Sequence, residues 1–305
     1  ILVEPYTSWL LDNGVELNLD CKGAPEVVLI PDVNFELALT AFDTNGLNGN
    51  ILLSEALAII NLDLSSASIS DLTGIEAFQN LLSLNVSNNN LTNTLDLTLN
   101  GKLETLDCST NSISNLLISG SKGLTSLIVS SNNLTVIDLA QNGALISLNV
   151  ANNSLQELTI SATKSLMELD CSNNSISSIN LKELTSLTSL DISSNSMTNI
   201  DAKDLDQLTF INVSSNMLIE LDMRNGNNTA ITSFDAENNL LTCIGVDDAT
   251  IVLPNWFKDD VTIYTSSGDC LPPTVITQNI SIEIDAKGVA SISASDIDNG
   301  SSDNS

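Results

Sequence analysis

The amino-acid sequence predicts an α/β solenoid, in which short strands stack side by side and short helices are confined to the N-terminal end. The first observation is a pair of apolar residues, separated by one residue, that returns every 21 to 23 residues. The second is an asparagine that follows each pair at a fixed offset. A fixed period in this range indicates repeats that cannot bury their own apolar faces, so each repeat relies on its neighbours for a continuous core.

The apolar pairs define about nine repeats, over residues 59–246. The alternation within each pair is typical of a strand with one buried face. The first members of the pairs are Leu62, Leu84, Leu106, Leu127, Leu148, Leu169, Leu190, Ile211 and Phe234.

The asparagine column predicts a ladder along the solenoid. A short amide side chain both donates and accepts hydrogen bonds, so it can satisfy backbone groups in the turn that follows each strand. Removing one amide would leave buried polar groups unpaired, at a cost of about 1 to 3 kcal/mol. Ala67 takes this place in the first repeat, and the ladder residues are Asn89, Asn111, Asn132, Asn153, Asn174, Asn195, Asn216 and Asn239.

One repeat shows the full pattern, with Leu145-x-x-Leu148-x-Val150-x-x-Asn153-x-Leu155. This pattern resembles the leucine-rich repeat family, and more closely the internalin-like surface proteins of bacteria. The resemblance covers about two thirds of the chain. It implies a curved solenoid with a parallel β-sheet on its concave face. A parallel β-helix also stacks short strands, but the asparagine at fixed offsets favours the leucine-rich repeat.

Each repeat also carries a second apolar pair, for example at 137–139, 158–160, 179–181 and 221–223. We expect this pair to form a second short extended segment rather than a helix.

The N-terminal part of the chain divides into two segments. Residues 1–23, which include Cys21, fit no repeat and have no assigned role. Residues 24–58 resemble the N-terminal cap of secreted bacterial leucine-rich repeat proteins. Their apolar positions suit an amphipathic helix followed by a second helical turn. The positions in the first helix are Val33, Phe35, Leu37 and Leu39.

At the other end, residues 247–271 are predicted to form a C-terminal cap closed by a disulfide between Cys243 and Cys270. Trp256 and Phe257 lie between the two cysteines and would cover the end of the core. Closing this loop would stabilise the fold by about 3 to 4 kcal/mol in the chain-entropy model. Residues 272–305 are predicted to form a linker and a truncated β-sandwich-like segment, which resembles the start of an immunoglobulin-like repeat.

Composition narrows the classes of partner. With 9 basic and 38 acidic residues the formal net charge is −29, which would repel nucleic acid and anionic membrane surfaces. Cationic partners and metal ions are favoured, although acidity alone also keeps a secreted protein soluble. The chain has no run of 18 apolar residues, so no membrane insertion is expected.

The sequence argues against an enzyme. It contains no histidine, which removes the commonest general base and metal ligand. It also lacks a glycine-rich phosphate loop and a Cys-x-x-Cys pair. Cys108 and Cys171 occupy inward strand positions three repeats apart, so we expect them to be buried, unpaired and inert.

The residue between the two members of each apolar pair is predicted to point out of the concave face. These positions and their neighbours form an acidic and polar ladder, in which Asp170 and Asp191 would lie on adjacent strands. Their repulsion would be offset by a basic ligand surface, by calcium, or by solvent and counterions alone. The candidate ligand-binding residues are Asp63, Asp107, Glu168, Asp170, Asp191, Phe210, Asn212, Asp235 and Glu237.

The sequence therefore predicts a non-enzymatic binding module that is extracellular, either secreted or on a bacterial cell surface. Its partner would be a protein recognised by the acidic concave face. Adhesion to a polysaccharide or another repetitive surface is the alternative, and Phe210 is the one aromatic residue expected on this face. No cofactor is required, while calcium stays open as a ligand.

Overall fold

The computed structural model describes residues 26–251 and 255–266. These residues form short strands joined by turns, with two short α-helices near the start. The helices are α1 (Val33–Ala38) and α2 (Leu53–Ala56). The strands are β1 (Val27–Leu29), β2 (Asn50–Leu52), β3 (Asn61–Asp63), β4 (Ser83–Asn85), β5 (Thr92–Asp96), β6 (Thr105–Asp107), β7 (Ser112–Leu117), β8 (Ser126–Ile128), β9 (Ser147–Asn149), β10 (Glu168–Asp170), β11 (Ser189–Asp191), β12 (Asn199–Asp201), β13 (Phe210–Asn212), β14 (Glu220–Asp222), β15 (Ser233–Ala236), β16 (Cys243–Gly245), β17 (Trp256–Lys258) and β18 (Ile263–Thr265).

The predicted solenoid is confirmed by one parallel sheet of ten strands, in the order β3-β4-β6-β8-β9-β10-β11-β13-β15-β17. The central leucines are in register from strand to strand, so Leu148 lies beside both Leu127 and Leu169. These side chains point inward and are at most 2% exposed. Because each strand is only three or four residues long in this sheet, its apolar face is buried by stacking on its neighbours.

The asparagines at the ladder positions tie consecutive repeats together. Asn132 shows the arrangement: its Nδ2 donates to the carbonyls of Cys108 and Val129 at 3.0 and 3.1 Å, and its Oδ1 accepts the amide of Ile113 at 2.9 Å. All eight asparagines donate to the preceding repeat and accept an amide from it. Each side chain therefore satisfies backbone groups of two neighbouring turns.

On the opposite side of the solenoid, extended structure forms only in some repeats. One sheet has the order β12-β14-β16-β18, and β5 pairs with β7. At 137–139, 158–160 and 179–181 neither a strand nor a helix forms, so the second apolar pair is not paired as a strand in these repeats. A turn follows each of the three segments, as in the bond from the amide of Asn142 to the carbonyl of Leu139.

At the N-terminal end, the antiparallel pair of β1 and β2 and the two helices precede the first strand of the ten-stranded sheet. Helix α1 is amphipathic, but only half of its predicted apolar positions are buried. Phe35 and Leu39 are at most 1% exposed, whereas Val33 and Leu37 are 63% and 50% exposed. The core therefore meets the face that carries Phe35, whose ring lies 6.1 Å from that of Phe78.

Asp32 joins this end to the first repeat. Its Oδ1 caps α1 by accepting the amides of Asn34 and Phe35, and its Oδ2 accepts the amides of Ser70 and Asp71. Partial burial acts to raise the pKa of the Asp32 carboxyl, but the hydrogen bonds outweigh it and the pKa is lowered.

At the C-terminal end, β17 adds a strand beyond the nine predicted repeats. Trp256 points inward and stacks on Phe234, with 4.6 Å between the ring centroids. Asp259 follows β17, and its two carboxylate oxygens accept the amides of Asn238 and Asn239. Asp259 thus accepts hydrogen bonds from the backbone amides of the last turn of the ladder.

The cysteines divide into two groups. Cys108 and Cys171 are buried and free, as predicted, and burial raises the pKa of both thiols well above its ordinary value. Cys243 lies in β16 and is 4% exposed. Cys270, its predicted disulfide partner, and the whole of the predicted segment 272–305 lie outside the described residues.

Within the described ranges, no helix has the length and apolar character needed to cross a bilayer.

Candidate functional site on the face of the ten-stranded sheet

The outward side chains of the ten-stranded sheet form two parallel rows, and the residues immediately before the strands form a third; we call the three rows together the sheet face. The entry row consists of the residues immediately before the strands: Ile60, Leu82, Glu104, Thr125, Ile146, Met167, Thr188, Thr209 and Thr232. The middle row contains the first residues of the strands: Asn61, Ser83, Thr105, Ser126, Ser147, Glu168, Ser189, Phe210 and Ser233. The acidic row contains Asp63, Asn85, Asp107, Ile128, Asn149, Asp170, Asp191, Asn212, Asp235 and Phe257.

The acidic row is built by a turn that follows eight of the ten strands, the exceptions being those with Ile128 and Phe257 in the row. In each such turn the side-chain Oδ1 accepts the amide two residues further on, as Asp170 does from Ser172 at 3.0 Å. The hydroxyl of Ser172 also donates to this oxygen, at 2.7 Å. Asp and Asn recur here because their short side chains can reach their own backbone. The same bond from the backbone lowers the pKa of Asp63, through the amide of Ser65, so this carboxyl stays ionised.

Asp170 and Asp191 are adjacent in register, as the sequence predicts. At the usual strand spacing of about 4.8 Å their repulsion is on the order of 1 kcal/mol even at the dielectric constant of water. Each carboxylate is flanked on its other side by an amide donor. Asn149 donates to Asp170 Oδ2 at 3.1 Å, and Asn212 donates to Asp191 Oδ2 at 3.2 Å.

The protein therefore supplies part of the compensation that the sequence analysis assigned to a basic ligand, calcium or solvent. Each of the two aspartates accepts three hydrogen bonds from its own chain. Within the described ranges, no group of three or more acidic or cysteine side chains is arranged to hold a metal ion. The acidic stretch at 296–303 lies outside those ranges.

The nine candidate binding residues form a track rather than one pocket. Asp63 lies on the first strand of the sheet and Asp235 on the ninth, so the track is roughly 40 Å long at the usual strand spacing. Glu168 is exposed and accepts the hydroxyl of Ser147 at 2.9 Å. Phe210 is half-buried in the middle row, and Glu237 is exposed directly after β15. The structure brings together only neighbours in the row, above all Asp170, Asp191 and Asn212.

Two features of the sheet face were missed by sequence reasoning. Phe257 is 52% exposed beside Asp235, so Phe210 is not the only aromatic residue on this face. The entry row presents Ile146 and Met167, which are 42% and 43% exposed. Extending the repeat register by one strand identifies Phe257, whereas the entry row lies just outside the repeated apolar pair and so carries no signal in the pattern.

Positive charge is nearly absent from this face. Among the described residues, Lys258 is the only basic residue within a strand of the ten-stranded sheet. It lies in β17, with its ammonium 5.6 Å from the centre of the Tyr264 ring. The remaining described basic residues lie outside these strands: Lys102, Lys122, Lys164, Lys182, Lys203 and Arg224. The nine strands from β3 to β15 thus carry six acidic residues and no basic one.

No protein-family model and no curated protein matches this chain. Solved structures do match. The functional domain of InlJ from Listeria monocytogenes is 29% identical with a TM-score of 0.61, covering 78% of this chain and 62% of that one. This chain therefore spans less than two thirds of the InlJ chain. Internalin C2 from the same species is 20% identical, with a TM-score of 0.54 and coverage of 72% and 94%.

A plant protein has the same fold. The ectodomain of the receptor kinase GASSHO1/SCHENGEN3 from Arabidopsis thaliana, solved in complex with Casparian strip integrity factor 2, is 21% identical. Its TM-score is 0.57, with coverage of 64% of this chain and 26% of that one. The fold is thus a leucine-rich repeat solenoid, and this chain is similar to internalin-type leucine-rich repeat proteins of bacteria.

Proposed function

We propose that this protein is a non-enzymatic binding module that recognises a protein partner through the acidic sheet face, which is the concave face in leucine-rich repeat proteins. The observation that carries the proposal is the single sign of charge on this face. Five of the nine strands from β3 to β15 carry acidic residues and none carries a basic one, and the Asx turns hold the aspartates in fixed positions. A regular acidic surface attracts a basic one and raises the rate of encounter.

The comparisons support a protein as the partner. The plant ectodomain of the same fold was solved with a protein factor bound, and the fold offers an extended surface of stacked repeats for such contacts. The fold alone does not select a ligand, so the proposal depends on the arrangement of charge on this face.

The test is a variant that removes three charges from the sheet face and leaves the turns intact. The substitutions Asp107→Asn, Glu168→Gln and Asp235→Asn each keep an oxygen acceptor. They also avoid Asp170 and Asp191, whose partners Asn149 and Asn212 would otherwise face a second amide donor. The matched control carries Asp138→Asn, Glu157→Gln and Asp204→Asn, which are exposed acids outside the strands of the sheet.

Binding is measured on immobilised synthetic peptides of one length, graded from acidic to basic. We expect wild-type protein to bind the basic peptides, and the sheet-face variant to bind them about tenfold more weakly, since three solvent-accessible charges contribute up to about 1 kcal/mol each. The loss should shrink at high salt. Equal binding by both triple variants would overturn the acidic face as the binding surface.

Adhesion to a glycan is the second candidate, and the exposed ring of Phe257 favours it because sugars stack on aromatic rings. The hydroxyls of the middle row are also suited to sugar contacts. A glycan array probed with and without calcium separates the two functions. Specific glycan binding that is lost in Phe257→Ala and kept in the triple charge variant would replace the first proposal by the second.

We further propose that the protein is secreted or displayed on a bacterial cell surface, with a Cys243–Cys270 disulfide closing the C-terminal cap and an immunoglobulin-like repeat starting within residues 272–305. The similarity to internalins supports this location. A disulfide is also expected to persist only in an oxidising compartment. Protease treatment of intact native cells is the test, because a surface protein would be cleaved while cytoplasmic markers stay whole.

A further inference from the structure

The entry row is a continuous line of side chains fixed by backbone hydrogen bonds. Ile146 donates to the carbonyl of Thr125, Met167 to that of Ile146, and Thr188 to that of Met167, each at 2.8 Å. The same bonds continue through Thr209 to Thr232. Six members of the row therefore lie side by side over roughly 24 Å at the usual strand spacing.

This part of the row presents apolar groups to solvent. The hydroxyls of its four threonines all donate to the carbonyl of the preceding repeat, at 3.0 or 3.1 Å, and so are already satisfied. Their methyl groups remain for contact with a partner. In the centre, Ile146 and Met167 are adjacent and nearly half exposed. A pair of exposed aliphatic side chains in a fixed line can anchor a partner.

The acidic row runs parallel to this apolar line, three residues further along the chain in each repeat. At about 3.3 Å per residue the two rows are roughly 10 Å apart, which matches the diameter of an α-helix with its side chains. Over these six strands the middle row between them carries four small serines, at Ser126, Ser147, Ser189 and Ser233, and two larger side chains, at Glu168 and Phe210. The serines leave room for a helix to lie along the row.

We propose that the sheet face binds a basic amphipathic helix, laid along the solenoid with its apolar side on the entry row and its lysine or arginine side on the acidic row. This inference rests on the proposed function and adds the chemical class of the partner. Charge complementarity favours a cationic segment. The apolar line beside the acids favours a segment whose charged and apolar residues lie on opposite sides, as in an amphipathic helix. Ile146 and Met167 are the anchors, and Glu168, Asp170 and Asp191 face the basic side.

The probes are three synthetic peptides of equal length, measured by fluorescence anisotropy. One contains lysine and leucine at helical spacing, the second has the same composition in scrambled order, and the third replaces lysine by glutamate. We expect the helical lysine peptide to bind at least about tenfold more tightly than the scrambled one, and the glutamate peptide not to bind. The preference for the helical peptide should disappear in the double variant Ile146→Ser and Met167→Ser.

A matched double variant controls for the general loss of exposed apolar surface. Val136→Ser and Ile219→Ser alter side chains that are each 58% exposed and lie outside the sheet face. This control should keep the wild-type preference for the helical lysine peptide over the other two. Circular dichroism of both double variants checks that the solenoid is intact, which is expected because all four side chains are exposed.

The outcomes separate this inference from the proposed function. Suppose the helical and scrambled lysine peptides bind equally, and only the triple charge variant weakens them. The acidic face then binds basic partners, but the helix on the entry row is wrong. If neither lysine peptide binds wild-type protein, both proposals fail. An equal effect of the two double variants would also overturn the helix, because the contact would then not depend on the entry row.

Discussion

At the scale of single residues, the sequence position of an asparagine or aspartate decides its role. In the acidic row these side chains fold back onto the next turn of their own repeat, as Asp191 does with Ser193. At the ladder position they reach the previous repeat, as Asn132 does with Ile113. The same chemical group therefore builds the candidate binding surface in one column and the fold in another.

The ladder gives a prediction at this scale. Replacing Asn132 by alanine should lower the free energy of unfolding by about 1 to 3 kcal/mol, because it leaves an amide and two carbonyls of neighbouring turns without their partner. Urea titration followed by circular dichroism measures the loss. The control is Asn133→Ala, whose exposed side chain has one long contact of 3.5 Å to Ser112. Equal stability of the two variants would contradict the role of the ladder.

Much of this residue-level arrangement was readable from the sequence. The fixed offset of the asparagine and the alternation around it place Asn153 or Asp170 in the right column before any coordinates are known. The pairing of Asn149 with Asp170 was not predicted, because it depends on which rotamers bring an amide and a carboxylate on adjacent strands within hydrogen-bonding distance.

At the scale of elements, the N-terminal end shows how far periodicity reaches. Apolar residues four positions apart, Val33 with Leu37 and Phe35 with Leu39, predict an amphipathic helix, and α1 forms there. Which of them are buried is decided by the neighbouring Phe78 and the first repeat, so Phe35 is inside and Val33 is outside. A short helix has too little pattern of its own to settle its orientation.

Asp32 gives a prediction at the element scale. Asp32→Ala removes both the cap of α1 and the bonds to Ser70 and Asp71, so it should destabilise the N-terminal end by about 1 to 2 kcal/mol. Because the folded pKa of this carboxyl is lowered, its contribution is present above the unfolded pKa of about 3.9. The contribution is lost as the pH falls through the folded pKa.

The measurement is hydrogen exchange of the amides in α1 and in residues 70–71 at neutral pH and near pH 3. The alanine variant should exchange faster than wild-type at neutral pH, and the gap should narrow in acid. A gap that is unchanged at low pH would show that the charge of Asp32 does not contribute. Thr40→Ala is a suitable control, because its exposed hydroxyl bonds only within the end of α1.

At the scale of the whole molecule, stability comes from contacts between neighbouring repeats, so the two ends matter most. The N-terminal end is covered by α1, α2 and the antiparallel pair of β1 and β2. At the other end Trp256 covers Phe234. The strands beyond Val246 were not predicted as strands, because Trp256 and Lys258 replace the leucine pair that marks the other repeats.

The proposed disulfide between Cys243 and Cys270 gives the prediction at the scale of the whole molecule. Peptide mapping without reduction should recover a fragment that links Cys243 to Cys270, while Cys108 and Cys171 are alkylated only after unfolding. The double variant Cys243→Ser and Cys270→Ser should be less stable by about 3 to 4 kcal/mol in the chain-entropy model. The matched control is Cys108→Ala, a free buried thiol, whose variant keeps the linkage. Recovery of Cys243 and Cys270 as separate alkylated peptides would show that the linkage is wrong.

The sequence by itself determined the solenoid, the strand register and the columns of leucine, asparagine and aspartate. It could do so because a repeat of fixed length places equivalent residues side by side, whatever the rest of the chain does. Only the tertiary structure decided which carboxylates are already satisfied by Asn149 and Asn212, and that Ile146 and Met167 form an exposed line beside them. Those properties depend on the distances between side chains on adjacent strands, about 21 residues apart in the sequence, and on how much of each side chain is exposed. Periodicity alone specifies neither.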